Sequence, residues 1–230
     1  MKHTERTAPW SLKIPVWSLA GYVCILYPLV HWVLRDPHRG SPWVGPVYFG
    51  GVLIALLASR KVTLLQLGFH AGARGRDIAI GLVPAVLVVV TVPLLDWFIE
   101  ASGLAQSELF AGAENRGMAQ PGLLSLLMSF AGRVLAVPLV EQLYFTGFLL
   151  PALLRVVKPT TAIYIAAAVF TLVHFELKLS LFLIGLICSG FYYWTGSLWA
   201  SVVFHAGCAL GGMLVAFYYP RVVTFLAFLF

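Results

Sequence analysis

Glu141, His174 and His205 combine the side-chain types needed for acid–base chemistry with surroundings that make their presence hard to explain otherwise. Glu141 lies in Pro138–Pro151, PLVEQLYFTGFLLP, a run whose only other strongly polar side chains are Gln142 and Thr146. A lone carboxylate there is destabilising by several kcal/mol unless it is paired, protonated or used. His174 sits in FTLVHF and His205 in SVVFHAG, again among apolar residues. A desolvated carboxylate beside an imidazole is the pairing of a general base that activates water. A second imidazole N–H can stabilise the negative charge that develops on an attacked carbonyl. One carboxylate and two imidazoles could also ligate zinc. Taken singly, each of the three reads more readily as a polar packing residue.

Two other charges lie in apolar stretches. Arg133 precedes Glu141 by eight residues, on roughly the same face of a helix. It reads as a bracing cation, for a neighbouring helix or for Glu141 itself. Asp96, in PLLDWFIE, lies near a helix end and reads as an anchor that can reach the interface. Gly147 and the prolines 138 and 151 suggest a locally adapted backbone around Glu141.

The elements that carry these residues are membrane helices. Only 10% of the chain is charged and 60% is hydrophobic, with a mean hydropathy of +0.92; a soluble domain has about 25% charged residues. The chain is therefore an all-α, polytopic transmembrane bundle forming one domain over 1–230. Apolar runs mark spans at about 15–34, 42–59, 77–99, 121–152, 160–175, 178–194 and 197–219. A stub at 222–230 is too short to span alone and is a packed tail, an interfacial tail or an incomplete eighth span, giving about seven to eight membrane helices. The first run lacks a cleavage site of the small-residue type and reads as a retained helix.

The net charge of +6 is not a nucleic-acid signal, because the basic residues are scattered at span ends with no aromatic-interleaved stripe. If every span crosses once, Lys2, Arg6 and Lys13, then Arg60, Lys61, Arg74 and Arg76, then Arg155 and Lys158 fall on one side. Glu100, Glu108 and Glu114 fall on the other, against Arg116, and Arg35 and Arg39 break the pattern. This favours a cytoplasmic N-terminus in a bacterial inner membrane. The stretch VTLLQLGFHAGARGRD reads as interfacial, and the loop at 100–120 as a solvated loop or a cap over a site. Cys24, Cys188 and Cys208 show no disulfide or zinc spacing and read as packing residues.

Helix rise then tests whether the three residues can meet. Glu141 is 14 residues before Arg155, and His174 is 14 after Thr160, where the next helix leaves the same face. Both lie about 21 Å from that face, and His205, eight residues into its span, lies at about 12 Å or deeper. A single site is therefore geometrically open to all three.

The segment VEQLYFTGFLLPALLR resembles the EExxxRG motif of the CAAX prenyl protease and bacteriocin-processing (CPBP, or ABI) family of intramembrane proteases. Phe170 and His174, in FTLVH, match its FxxxH motif, and TGSLWASVVFHAGCA resembles its third motif. Order and spacing agree over roughly 125–215, within a protease core at about 121–219. The resemblance implies that Glu141 is the catalytic glutamate, that His174 helps it hold a water, and that His205 stabilises the oxyanion. It implies an intramembrane endopeptidase cutting a membrane-anchored or lipid-modified protein near its C-terminus, with no cofactor required, a divalent metal such as zinc remaining open.

The departures are specific. The family's second glutamate is Gln142 here and its arginine is Thr146, so both members of an i,i+4 ion pair are replaced by neutral groups. Ala209 stands where an asparagine is expected. Ser201, one turn before His205, is a possible substitute donor or bonds its own helix backbone. Gly207 and Gly211 mark close helix packing. The alternatives are a non-catalytic scaffold or bacteriocin self-immunity protein of the same fold, a metal-dependent protease using the same three residues, and a small proton-coupled transporter.

Overall fold

The computed structural model describes residues 8–34, 43–70, 74–107, 110, 122–175 and 178–227. Their secondary structure is helical throughout, with no strand among the described residues. The helices are α1 (Lys13–Val33), α2 (Val44–Ala58), α3 (Arg74–Ala101), α4 (Leu123–Leu153), α5 (Pro159–Leu172), α6 (Leu179–Thr195), α7 (Leu198–Tyr218) and α8 (Pro220–Ala227). Four of them, α1, α3, α4 and α7, are long and apolar enough to cross a membrane. The runs at 42–59, 160–175 and 178–194 become shorter helices than the hydropathy implies, with 15, 14 and 17 residues in α2, α5 and α6. At 1.5 Å per residue these reach ~21–26 Å, below the ~30 Å of a hydrocarbon core.

The stop signals are local. Pro159 occupies the first turn of α5, where its missing N–H is not needed. Gly196 ends α6 in the left-handed region, with φ +73°. Ser197 then caps α7 by accepting from the backbone N–H of Trp199 at 3.3 Å. Helix α4 is not a uniform α-helix. It widens into π-helical turns over Phe130–Ala136 and again over Gln142–Leu149, flanking Pro138 and preceding Pro151. Such widening lets a membrane helix absorb a proline without leaving backbone groups unsatisfied.

The second half of α4 is the centre of the bundle. Tyr144, Phe145, Phe148, Leu149 and Leu150 are buried, packed with Phe49 of α2 and Phe170 of α5. Helices α3 and α7 cross closely through small residues. A Cβ on Gly81 would strike the carbonyl of Ala200, one on Gly207 would strike Ala85, and one on Gly211 would come within 3.2 Å of Val88. The Gly207 and Gly211 pair therefore does mark a close helix crossing, as small residues do in lipid-embedded bundles.

Three segments outside the long helices are packed against the bundle. The stretch after α2 is only partly interfacial: Leu64 and Leu65 are exposed, but Val62 and Leu67 are buried. Its Gly68, at φ +101°, accepts from the N–H of Leu198, and Leu67 O would lie 2.7 Å from a Cβ on Gly147, so this segment plugs the end of α4 and α7. The tail at 220–227 is a packed helix, held by Arg221 on Asp96 and by Val222 in a small cluster with Ile99 and Phe110. Residues 8–10 are bound to the end of α4: Ala8 N–H donates to Pro151 O, Trp10 Nε1 donates to Phe148 O at 3.0 Å, and Arg155 donates to the carbonyls of Ala8 and Trp10. Most of the 100–120 loop read as a possible cap, and the charges Lys2, Arg6, Arg35, Arg39, Glu108, Glu114 and Arg116, lie outside the described residues.

Candidate active site

The structure brings Glu141, His174 and His205 together from α4, the end of α5 and α7. Glu141 Oε1 lies 3.4 Å from His174 Nε2, and its Oε2 lies 3.8 Å from His205 Nε2. Glu141 and His205 are buried at 6% and 7% exposure, whereas the His174 side chain is 27% exposed. The carboxylate is thus screened from solvent, and the one partly open wall of the cluster is His174.

The end of α5 explains how His174 is held. A helix C-terminus leaves its last carbonyls without helical N–H partners. The N–H of His174 tightens onto Thr171 O, which leaves Phe170 O open. His174 Nδ1 donates to that oxygen at 2.6 Å. The next residue, Phe175, turns left-handed at φ +53° and stacks on Tyr27 of α1, so the helix cannot continue. With hydrogen on Nδ1, a neutral His174 presents its Nε2 lone pair to Glu141. Phe170, 1% exposed, also supplies the wall of the site, its ring 4.7 Å from that of His174 and 5.7 Å from that of His205.

His205 is held through its Nδ1. Thr146 Oγ1 donates to Gln142 Oε1 at 2.6 Å, which turns the amide so that Gln142 Nε2 faces His205 Nδ1 at 2.9 Å. The neutral pair replacing the family's charges is therefore hydrogen-bonded one helical turn apart and almost fully buried, Gln142 at 1% and Thr146 at 2% exposure. Consecutive residues of α4, Glu141 and Gln142, thus face opposite edges of one imidazole, Gln142 within hydrogen-bond distance and Glu141 at 3.8 Å.

The remaining candidates sit elsewhere. Ser201 is buried but donates to the Cys188 carbonyl on α6 at 2.7 Å, so its hydroxyl proton serves neither its own helix nor the site. The reason is the neighbouring helix: the Cys188 thiol in turn contacts Ser201 O at 3.5 Å, and the pair stitches α6 to α7. Arg133 is exposed on α4 and pairs with no carboxylate among the described residues, so it braces neither Glu141 nor a neighbour there. The widened turn between Arg133 and Glu141 breaks the simple eight-residue phase on which that reading rested. Asp96 is an anchor, held by Arg221 Nε at 3.2 Å and Nη2 at 3.1 Å. Ala209 is half-buried on α7, one turn beyond His205.

A resident metal does not fit this arrangement. No group of three His, Cys, Asp or Glu side chains is disposed to hold an ion among the described residues. Moreover, a ring that ligates through Nε2 carries its hydrogen on Nδ1, and the NH2 end of Gln142 offers that hydrogen no acceptor.

The helical bundle thus holds a buried carboxylate between two imidazoles, on helices of which four are long and apolar enough to cross a membrane. Residues 123–211 match the family model of type II CAAX prenyl endopeptidase Rce1-like proteins. The matched stretch spans all three motifs and bears out the resemblance read from them. No curated protein and no solved structure matches the chain.

Proposed function

We propose that this protein is a glutamate-type intramembrane endopeptidase, with Glu141, His174 and His205 as its catalytic residues and Phe170 as a positioning residue. The observation that carries the reading is one buried carboxylate with a ring nitrogen facing each oxygen, at 3.4 and 3.8 Å. Glu141 Oε1 and His174 Nε2 are both acceptors, and a water with one O–H directed to each lies within reach of both. As the water oxygen attacks the scissile carbonyl carbon, Glu141 takes its proton. His205 Nε2–H donates to the oxygen that becomes negative. Collapse of the tetrahedral intermediate breaks the C–N bond, and Glu141 returns the proton to the leaving amine.

The substrate class is a membrane-anchored or lipid-modified protein cut near its C-terminus, as the match to type II CAAX prenyl endopeptidases implies, and the opening at His174 among apolar helices is compatible with it. Lys13, Arg60, Lys61, Arg74, Arg76, Arg155 and Lys158 adjoin the helix ends that share one side when successive helices alternate in direction. This supports a cytoplasmic placement of that face, testable with reporter fusions at residues 61 and 103.

The deciding experiment is cleavage of a peptide bearing a C-terminal membrane anchor by the purified protein in lipid nanodiscs. Wild type is expected to cleave and Glu141→Gln to be inactive at equal abundance. A second reading, a non-catalytic protein of the same fold, draws on Ala209, which offers no donor where the family's asparagine would. Equal phenotype of wild type and Glu141→Gln would select it.

A further inference from the structure

We propose that Gln142 and Thr146 are a positioning relay that locks His205 in its neutral Nε2–H form, so that this protein presents an uncharged hydrogen-bond donor to its substrate. The inference rests on the protease reading for its consequence, but the proton position itself does not depend on that reading.

The relay can be followed atom by atom. The Thr146 hydroxyl donates to Gln142 Oε1 at 2.6 Å, and a threonine hydroxyl has a single hydrogen to give. In this arrangement the oxygen of the Gln142 amide is the end turned toward Thr146. The NH2 end then lies 2.9 Å from His205 Nδ1. An amide NH2 donates only, so Nδ1 must accept and carries no hydrogen. In a neutral imidazole the hydrogen is then on Nε2, which points at Glu141 Oε2 from 3.8 Å. The distance leaves room for a carbonyl oxygen to take that hydrogen when substrate is present. All three relay residues are at least nine-tenths buried, so no solvent competes for these bonds.

The charged pattern of the resembled family would set the opposite polarity. A carboxylate at position 142 accepts only, so it would draw a hydrogen onto Nδ1. Nε2 would then be a donor only when the ring carries a second proton. With glutamine the donor exists without charging a buried ring. The replacement of both charges by Gln142 and Thr146 is thus a change of proton position at His205, beyond a neutral repacking of α4.

The surroundings leave little else to bind Nδ1. Helix α3 presents Ala85 and Val88 to α7, the Ser201 hydroxyl and Cys188 thiol are engaged with each other's backbone carbonyls, and Phe170 offers a ring edge. Gln142 is accordingly the group that decides the tautomer.

The test is an NMR spectrum of the full-length, 15N-histidine-labelled protein in nanodiscs, using long-range proton–nitrogen correlations to see which ring nitrogen is protonated. The His205 signals are those missing from His205→Ala. Wild type is expected to show Nε2 protonated and Nδ1 bare. Gln142→Glu is expected to place a proton on Nδ1. Thr146→Val removes the bond that orients the amide and is expected to give a mixture of tautomers and about 10-fold slower turnover with little change in KM, while Thr146→Ser restores both. Protonated Nδ1 in the wild-type spectrum would overturn the relay outright, whatever the variants do. Normal cleavage by Glu141→Gln would instead overturn the protease reading and leave the tautomer result standing. Should Gln142→Glu not fold, the wild-type spectrum and the valine–serine pair at 146 still decide.

Discussion

His174 Nδ1 is hydrogen-bonded to the carbonyl oxygen of Phe170 at 2.6 Å, one turn back along the helix they share. The side chain thereby performs two tasks at once. It satisfies a carbonyl left over where α5 stops, and it turns the opposite nitrogen toward Glu141. His174→Ala is expected to lower cleavage by about 10²- to 10⁴-fold, the range typical of a lost general acid–base partner. Its removal also leaves the Phe170 carbonyl without its partner, so a modest drop in thermal midpoint in detergent is expected with an unchanged size-exclusion profile. Full activity in this variant would remove His174 from the mechanism.

His205 is expected to behave differently. His205→Ala should reduce kcat by about 10²- to 10³-fold, as for a lost oxyanion donor, with little effect on KM. It also leaves the Gln142 amide without a partner in a buried site, so a modest drop in thermal midpoint accompanies the kinetic loss. Steady-state kinetics beside a melting curve separates the two effects.

The α3–α7 crossing gives a prediction about stability alone. A Cβ at Gly207 overlaps Ala85, and the same atom would sit 2.8 Å from the Ala85 Cα. Gly207→Ala is expected to destabilise by ~1–3 kcal/mol, the usual range for overpacking. Adding Ala85→Gly should recover only part of the loss, because the backbone Cα remains too close. Complete recovery in thermal melts would mean that the helices separate more freely than their packing implies.

Asp96 and Arg221 join helices 125 positions apart in the chain through two hydrogen bonds of 3.2 and 3.1 Å. Asp96→Asn is expected to loosen α8, seen as faster proteolysis at the C-terminal end. Cleavage of substrate should stay near wild type, since this pair lies on the end of the bundle remote from Leu198 and the relay residues. A large loss of activity would tie α8 to the site.

Ala209→Asn is expected to be tolerated, since the position is half-buried one turn from His205. Turnover equal to or above wild type would be consistent with an added donor facing the site. Severe misfolding would identify the position as packed against a neighbouring helix.

Much of this architecture was legible from hydropathy, because a spanning helix needs one long apolar run and little else. The proximity of Glu141 and His174 followed from helix rise counted from a shared face. What escaped depended on partners brought in by folding. Ser201 looks like a free hydroxyl until Cys188, on another helix, claims it. Arg133 looks aligned with Glu141 until the helix between them widens. The Asp96–Arg221 pair carries no local signal, since neither residue's neighbours point to the other. The Gln142–Thr146 bond was visible as an i,i+4 spacing, but the direction of its hydrogen, and so the state of His205, required the geometry of three side chains together.

The bonds between residues 8–10 and the end of α4 have a meaning for biosynthesis. Trp10 and its acceptor at Phe148 are separated by 138 residues. At ~5–20 residues per second of synthesis, the first helix waits about 7–28 s in the membrane before its partner emerges. During that interval the indole N–H and the carbonyls of Ala8 and Trp10 can be served by water and lipid headgroups at the interface, where tryptophan is at home. Arg155, which binds both carbonyls, arrives only when α4 is finished. The N-terminal segment therefore closes only after the Glu141 helix is in place, so that completion of that helix and locking of α1 are one late event.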